Sequence, residues 1–451
     1  MQTDWNSAED TATRRSGGTD TSRATARHGD AQPAPGGARR NFLRAAGAGL
    51  AASIASGSAL AAGTAETERN RVGFTPIDDP KTEAPKSMPD PNAAPDDRIG
   101  YAVVGLGRLA VGEILPALAE CKFSKIAALV SGDRDKALKL ARQYGVKTES
   151  VYDYASYDRL ASNPDVKVIY IVLPNSMHAD FTVRGARAGK HILCEKPMAT
   201  SVADCERMIA ACRSANVKLM IAYRSQYEPM DRAIAKMVRD GALGPLREFV
   251  AGNSQNTVDP QHWRHKKALA GGGALPDIGL YCLNAARFMS GAEPEEVFAT
   301  TSRVPNDPRY AEVEAGVHFI LRFPGGFTAT CVSNYASHDS RFLRLQGPNG
   351  WVELNPAFAY NGLKLRHSRL QDKHNTVTDI EFPPANQFAL EIDHMSLCVM
   401  QDRTPHTPGE EGLQDQRIME AIYRSAETGR AVRLSPPPGP TRGPEPDEQT
   451  F

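Results

Sequence analysis

The stretch that decides the fold is Gly100-Tyr101-Ala102-Val103-Val104-Gly105-Leu106-Gly107-Arg108-Leu109-Ala110. Its first half is a continuous apolar run closed by glycines. A strand buried on both faces needs such a run, as the strands of parallel sheets do. Its second half reads G-x-G-x-x-A and leads into a helical stretch at about 110–120. Gly105 permits a tight turn, Gly107 lets the backbone approach a pyrophosphate, and Ala110 lets helix and strand pack closely. The helix N-terminus then faces the phosphates. Glycine turns of this form are common. Its weight comes from standing between a buried strand and a helix.

Strand and helix continue to alternate downstream. The pattern predicts strands at 126–130, 168–173, 191–194 and 218–222, and helices at 134–144, 177–189 and 202–215. Such alternation implies an α/β domain, a doubly wound parallel Rossmann sheet, over about 99–224. From 225 to about 435 the pattern changes. Strands are expected at 247–256, 296–304, 314–323, 326–336 and 341–354, several ending in turns such as Gly347-Pro348-Asn349-Gly350. This predicts an α+β C-terminal domain on an open, largely antiparallel sheet. Helices near 386–401 and 411–428 return toward the nucleotide domain. Residues 436–451 read as a Pro-rich tail.

The 451 residues carry 53 basic and 53 acidic side chains. No net field draws the chain to nucleic acid or to an anionic membrane. Residues 1–38 hold almost no large apolar side chain and cannot offset their ordering entropy. Arg39-Arg40-Asn41-Phe42-Leu43-Arg44 follows, then a mildly apolar run from Ala45 to Ala62 containing Ala59-Leu60-Ala61. That run is too short and too weakly apolar to anchor stably in a membrane. Two readings fit residues 1–62. One is a basic tail and linker. The other, which the order of the parts favours, is a leader with a twin-arginine export signal, a partner in the export machinery and a periplasmic destination. Residues 63–98 hold six prolines from Pro76 to Pro95 and read as an extended arm or a linker. Seven scattered cysteines without CxxC or Cys/His spacing imply buried thiols, with no disulfide framework and no metal.

Cofactor choice is written at the end of the second strand. An acidic residue there usually binds the ribose 2′-hydroxyl of NAD. Here Ser131-Gly132 stands instead, with Arg134 and Lys136 close by, which suits the 2′-phosphate of NADP rather than NAD. Asp133 and a merely solvated helix face keep the other choice open.

Glu195-Lys196-Pro197 stands at the end of the fourth strand. With it go Leu173-Pro174-Asn175-Ser176-Met177-His178, the run from Cys194 to Cys205, and Gly271-Gly272-Gly273 followed by Asp277, Gly279, Tyr281 and Asn284. On these segments the chain resembles the glucose–fructose oxidoreductase, inositol dehydrogenase and rhizopine-catabolism oxidoreductase family, from about Pro76 to Gly429. Asp277 and Tyr281 are four apart in an apparent helix and share a face. The resemblance implies that they and Lys196 surround the nicotinamide and the reacting sugar carbon. Tyr281 would act as acid/base, with the Lys196 ammonium favouring its phenolate. Asp277 would bind hydroxyls or keep Lys196 charged. A helix cap at Asp277 and a core position for Tyr281 are the plainer alternatives.

The resemblance also implies cofactor contacts. They run along the turn residues Leu106, Arg108 and Leu109, at Tyr154, along Leu173, Pro174, Asn175, Ser176 and His178, and at Glu195, Arg224, Trp263, Arg264 and Tyr360. It implies a sugar oxidoreductase with tightly bound NADP, oxidising an aldose such as glucose to its lactone and reducing a second sugar such as fructose. Its open sheet would serve a homodimer or homotetramer. An ordinary dehydrogenase with exchangeable cofactor, an NAD-dependent glycosidase and a protein that only binds nucleotide are the rivals. The stretch 256–270 matches poorly apart from Trp263-Arg264.

Overall fold

The computed structural model describes residues 98–257 and 259–446. The expected leader and export signal at 1–62, and the expected arm up to residue 97, lie outside the described residues. The nucleotide domain runs β1 (Ile99–Val104), α1 (Leu115–Glu120), β2 (Ser124–Val130), α2 (Arg134–Gln143), β3 (Val151–Tyr152), β4 (Val168–Ile171), α3 (His178–Arg187), β5 (His191–Glu195), α4 (Val202–Ser214) and β6 (Leu219–Ala222). All six strands are parallel, in the order β3-β2-β1-β4-β5-β6. From Gly100 to Val104 every β1 residue is buried, which is why the run is apolar without alternation. The order reverses direction between β1 and β4. Connections there leave on opposite faces and open a crevice at the carboxyl ends of the strands.

The second part contains α5 (Pro229–Arg239), β7 (Glu248–Asn256), α6 (Lys267–Ala270), α7 (Leu280–Ser290), β8 (Glu296–Ser302), β9 (Gly316–Arg322), β10 (Thr328–Asn334), β11 (Ala336–Gly347), β12 (Gly350–Leu354), β13 (Leu365–Gln371), β14 (His374–Ile380), α8 (Gln387–Met400), α9 (Gly409–Thr428) and β15 (Val432–Arg433). Its sheet orders them β14-β13-β12-β11-β7-β10-β9-β8-β15, with only β7 and β10 parallel. The α/β Rossmann domain and the largely antiparallel second sheet are therefore both present. Helices α7 and α9 cover one face. The other shows a cross-strand row: Phe298 pairs with Ile320, Ile320 with Thr330 and Thr330 with Val250, and all three apolar members are exposed.

Four details differ from the sequence reading. The short β3 was not anticipated, so Lys196 follows the fifth strand and not the fourth. The expected strand at 341–354 is a hairpin, β11 and β12, turning at Pro348-Asn349. Strands β13 and β14 were not anticipated. They carry little apolar alternation because they lie at the exposed sheet edge, and they turn through Asp372 and Lys373, both at positive φ. The helix after the glycine turn opens as a π-helical turn, Ala110–Ile114, before becoming regular. All seven cysteines are buried free thiols.

Helix α8 returns to the nucleotide domain. Asp393 accepts hydrogen bonds from the Lys122 and Phe123 amides and from Ser124 Oγ, at 2.7, 3.0 and 2.8 Å. Helices α7 and α9 are joined by a fully buried guanidinium. Arg287 donates to Glu293, Glu411 and Asp415 and also to Thr441 Oγ1, while Arg442 donates to Glu411. The described part of the Pro-rich tail is thereby fastened to the fold, and Glu445 adds ion pairs to Arg232 and Arg239. Removing one member of a buried ion cluster leaves the other charges uncompensated. Arg287→Ala is expected to cost about 3–5 kcal/mol in urea unfolding. A loss under about 1 kcal/mol would show that the cluster does not hold α7 to α9.

Candidate active site

The crevice is one continuous cleft of about 690 Å³, reaching from the glycine turn to the start of α7. Its first end is bare backbone. Gly105 sits at φ +94, and a Cβ there would fall 2.3 Å from the Val172 carbonyl oxygen, so only glycine lets β1 meet the end of β4. At Gly107 an added Cβ would meet no atom within 4 Å. That backbone faces open cleft, as the close approach of a pyrophosphate requires. Leu106, Arg108 and Leu109 line the cleft with it. Ala110 does not. It is fully buried, as its role in helix–strand packing demands, and its expected cofactor contact is corrected to that role.

At the end of β2, Ser131, Gly132, Asp133, Lys136 and Tyr154 all line the cleft, and Arg134 does not. Asp133 is engaged locally: its Oδ1 accepts from the Lys136 amide at 2.9 Å and caps α2. The nearest carboxylate to the ribose position is thus committed to a helix end. These residues fit a dinucleotide, with bare backbone for its pyrophosphate and a lysine beside the ribose pocket.

Leu173, Pro174 and Asn175 form the next wall. Asn175 Nδ2 donates to the Ala270 carbonyl at 2.8 Å, tying the turn after β4 to α6. Ser176, half-buried, and His178, buried, lie next to these residues and not on the cleft wall. His178 is buried, with its ring nitrogens 2.9 Å from the Pro197 carbonyl and 2.8 Å from that of Leu173. It clamps the loops after β4 and β5 to one another. Burial pushes its imidazole pKa down. Glu195 lines the cleft but is buried and accepts from Tyr170 at 2.8 Å, and burial raises its pKa.

The far end gathers the reactive groups. Lys196, at the end of β5, donates to the Asp277 carbonyl at 2.8 Å and lies 3.4 Å from Asp277 Oδ1. Its ammonium stands 4.4 Å from the Tyr281 ring centroid. Arg224 lies over the Tyr281 ring at 4.8 Å and over that of Tyr360 at 4.5 Å. It donates to Gln387 Oε1 and to the Phe358 carbonyl, and Phe358 holds φ +60 where that carbonyl meets the guanidinium. Arg224 thereby fixes the position of the phenol.

Asp277 does not cap a helix. It lies in the π-helical turn Leu275–Gly279 ahead of α7, with Tyr335 donating to its Oδ2 at 2.6 Å and Arg264 Nε 2.9 Å from the same oxygen. Burial alone would raise its pKa. Arg264, Lys196 and the Tyr335 hydrogen bond overcome burial and hold the carboxyl well below the usual range. Asp277 is a permanent carboxylate and donates no proton. Trp263 lines the cleft beside Arg264, whose guanidinium covers its ring at 4.6 Å. His262 stacks on Trp263, and burial together with Arg264 lowers its pKa to about 4, so it is neutral at neutral pH.

Several lining residues escaped the sequence reading. Asn253 and Gln255 extend from β7 beneath the reactive end, with Asn256, Thr257, Asp259 and His262 beyond them. A signal existed: Phe249, Ala251 and Asn253 share the buried side of β7, so a polar residue replaces an expected core position. Arg341 joins from β11 and donates to Gln255 at 3.2 Å.

A Rossmann crevice whose far end holds an ammonium, a carboxylate and a phenol defines an NAD(P)-binding oxidoreductase. Comparison with known proteins agrees. Residues 99–223 match the oxidoreductase family with NAD-binding Rossmann fold, and 232–353 match the GFO/IDH/MocA C-terminal domain. The D-xylose 1-dehydrogenase [NADP(+)] of Haloarcula marismortui is 32% identical over 350 residues, covering 76% of this chain and 94% of that protein. The crystal structure of an aldose-aldose oxidoreductase from Caulobacter crescentus, complexed with glycerol, is 48% identical with a TM-score of 0.72, covering 75% of this chain and all of that one. A 3-ketoreductase from Actinomadura kijaniata, in complex with NADP and TDP-benzene, is 27% identical with a TM-score of 0.64, covering 73% and 98%. The chain belongs to the GFO/IDH/MocA oxidoreductase family.

The two glycines of the turn separate fold from binding. Gly105→Ala is expected to destabilise the fold, seen as a lower thermal midpoint. Gly107→Val is expected to leave that midpoint unchanged and weaken NADP(H) binding at least about tenfold, about 1.4 kcal/mol, in fluorescence titration. Equal effects of both on stability would contradict this division.

Proposed function

We propose that this chain is an NADP-dependent sugar oxidoreductase that oxidises the C1 hydroxyl of an aldose such as glucose to the lactone and reduces a second sugar such as fructose with the same bound cofactor. The convergence of Lys196, Asp277 and Tyr281 at the cleft end, above a wall of amides suited to hydroxyl groups, carries this reading. The aldose-aldose oxidoreductase at 48% identity supports two sugars as substrates. NADP supplies a two-electron hydride acceptor when bound. Tyr281 Oη takes the hydroxyl proton as the sugar C1–H bond breaks. Lys196, over the Tyr281 ring, hydrogen-bonds the substrate oxygen. Asp277 holds the ammonium in place. In the second half-reaction the same phenol returns its proton to the carbonyl oxygen of the acceptor, so protons and electrons balance over the cycle. Lys196→Ala and Tyr281→Phe are expected to lower kcat about 10²–10⁴-fold.

The choice of NADP rests on Ser131, Gly132 and Lys136 at the ribose pocket and on the capping role of Asp133. Lys136→Ala is expected to reduce the preference for NADP over NAD about tenfold or more, read as the ratio of their dissociation constants. An unchanged ratio would move the 2′-phosphate contact elsewhere.

Retention of the cofactor follows from the export reading of Arg39-Arg40-Asn41-Phe42-Leu43-Arg44. A folded, loaded enzyme sent to the periplasm finds no free NADP there and must regenerate its own. The exposed row Phe298, Ile320 and Val250 suits a subunit contact in a dimer or tetramer. Native mass spectrometry of protein from the host's periplasmic fraction, followed by glucose and then fructose, tests these together. Expected are a processed chain, a multiple of its mass, and one NADP per subunit that is reduced and then reoxidised. An empty monomer needing added cofactor would instead support a conventional dehydrogenase, the reading that the D-xylose 1-dehydrogenase relative favours.

A further inference from the structure

Tyr335 is the single residue between β10 and β11, and its side chain is fully buried. Its backbone is fixed on both sides: the amide donates to the Ala315 carbonyl at 2.7 Å, and the carbonyl accepts from the Thr257 amide at 2.8 Å and from Tyr310 Oη at 3.0 Å. From this mount the hydroxyl reaches Asp277 Oδ2 at 2.6 Å. Asp277 Oδ2 also faces the buried Arg264 Nε at 2.9 Å, a contact on the same oxygen that favours the same orientation of the carboxylate. The neighbouring turn is held too, by Asn253 Nδ2 donating to the Ile278 carbonyl at 3.1 Å.

The χ2 torsion of an aspartate is broad and does not choose between its two oxygens. A rigid donor on Oδ2 makes that choice. It leaves Oδ1 toward Lys196, and the ammonium is then held between Asp277 and the Tyr281 ring. We propose that Tyr335 is a positioning residue for the reaction: through the Asp277 carboxylate, it sets where the Lys196 ammonium stands relative to the Tyr281 phenol. The inference rests on the acid/base reading of Lys196 and Tyr281 given above. Tyr335 touches neither sugar nor cofactor in this account, and it does not line the cleft. Burial and the Asp277 charge raise its pKa well above the ordinary value, so it remains a neutral donor across the working range.

The test is Tyr335→Phe in the full chain with NADP bound. It removes one hydroxyl and keeps the ring. Expected are a fall in kcat for aldose oxidation of about tenfold, a KM for the sugar within about twofold, and a larger solvent deuterium isotope effect as proton transfer becomes limiting. Tyr310→Phe is the structural control. It removes a phenol that only adds a third bond to the Tyr335 backbone, at a carbonyl that the Thr257 amide still holds, and its kcat should stay within about twofold. A double-mutant cycle with Asp277→Asn closes the argument: if Tyr335 acts through Asp277, its removal costs little in the Asp277→Asn background. Full kcat in Tyr335→Phe, an equal loss in Tyr310→Phe, or additive losses with Asp277→Asn would each overturn the proposal. Retained turnover in Lys196→Ala and Tyr281→Phe would instead remove the acid/base reading beneath it. Loss in those two with none in Tyr335→Phe would remove this inference alone.

Discussion

The Asp277 carboxylate is the point on which the reactive end of the cleft depends. One of its oxygens takes a buried phenol and faces a guanidinium, and the other faces the Lys196 ammonium. These partners come from the corner between β10 and β11, the segment before α6 and the end of β5. One side chain therefore ties the second sheet to the nucleotide domain where hydride would pass. A buried carboxylate on its own is expensive, and partners of opposite charge offset that cost only when the geometry is good. The cations that keep Asp277 ionised are the same ones whose positions it determines, so the charge and the geometry of the site share one cause.

A π-helical turn makes this arrangement possible. A regular helix would place Asp277 and Tyr281 on one stripe, both directed the same way. The wider turn at Leu275–Gly279 lets Asp277 point toward Tyr335 and Arg264 while Tyr281, at the start of α7, lies flat beneath Lys196 and Arg224. Extra residues of this kind inside helices are often found at functional sites. The four-residue spacing was enough to bring the two residues together on paper. It did not contain the reason that they face different partners.

Legibility followed the range of the interaction. Five of the six Rossmann strands were readable because each holds an apolar run and a helix lies between most neighbours; β3, two residues long, offers no such run. The glycine turn was readable because its constraint is local: Gly105 has to be glycine for the approach of Val172, and Gly107 faces open space. Strands β13 and β14 were not readable, since an edge hairpin that is exposed on most of its surface carries no buried stripe. Tyr335 was invisible for another reason. Its importance depends on a contact 58 residues away, and nothing in its neighbours marks it apart from a core tyrosine. His178 is the opposite case: a histidine after a strand end looks like a ligand contact, and its ring lies buried between the Pro197 and Leu173 carbonyls.

The same distinction bears on cofactor choice. A carboxylate near the end of β2 would ordinarily argue for NAD, and Asp133 stands two residues beyond Ser131. Its side chain is drawn to the amide of Lys136, where it stabilises the first turn of α2. Only Oδ1 is engaged there, and loss of that cap would cost α2 about 0.5–2 kcal/mol. Asp133 lines the cleft beside Lys136, so the carboxylate at this wall is one already tied through Oδ1 to the first turn of α2.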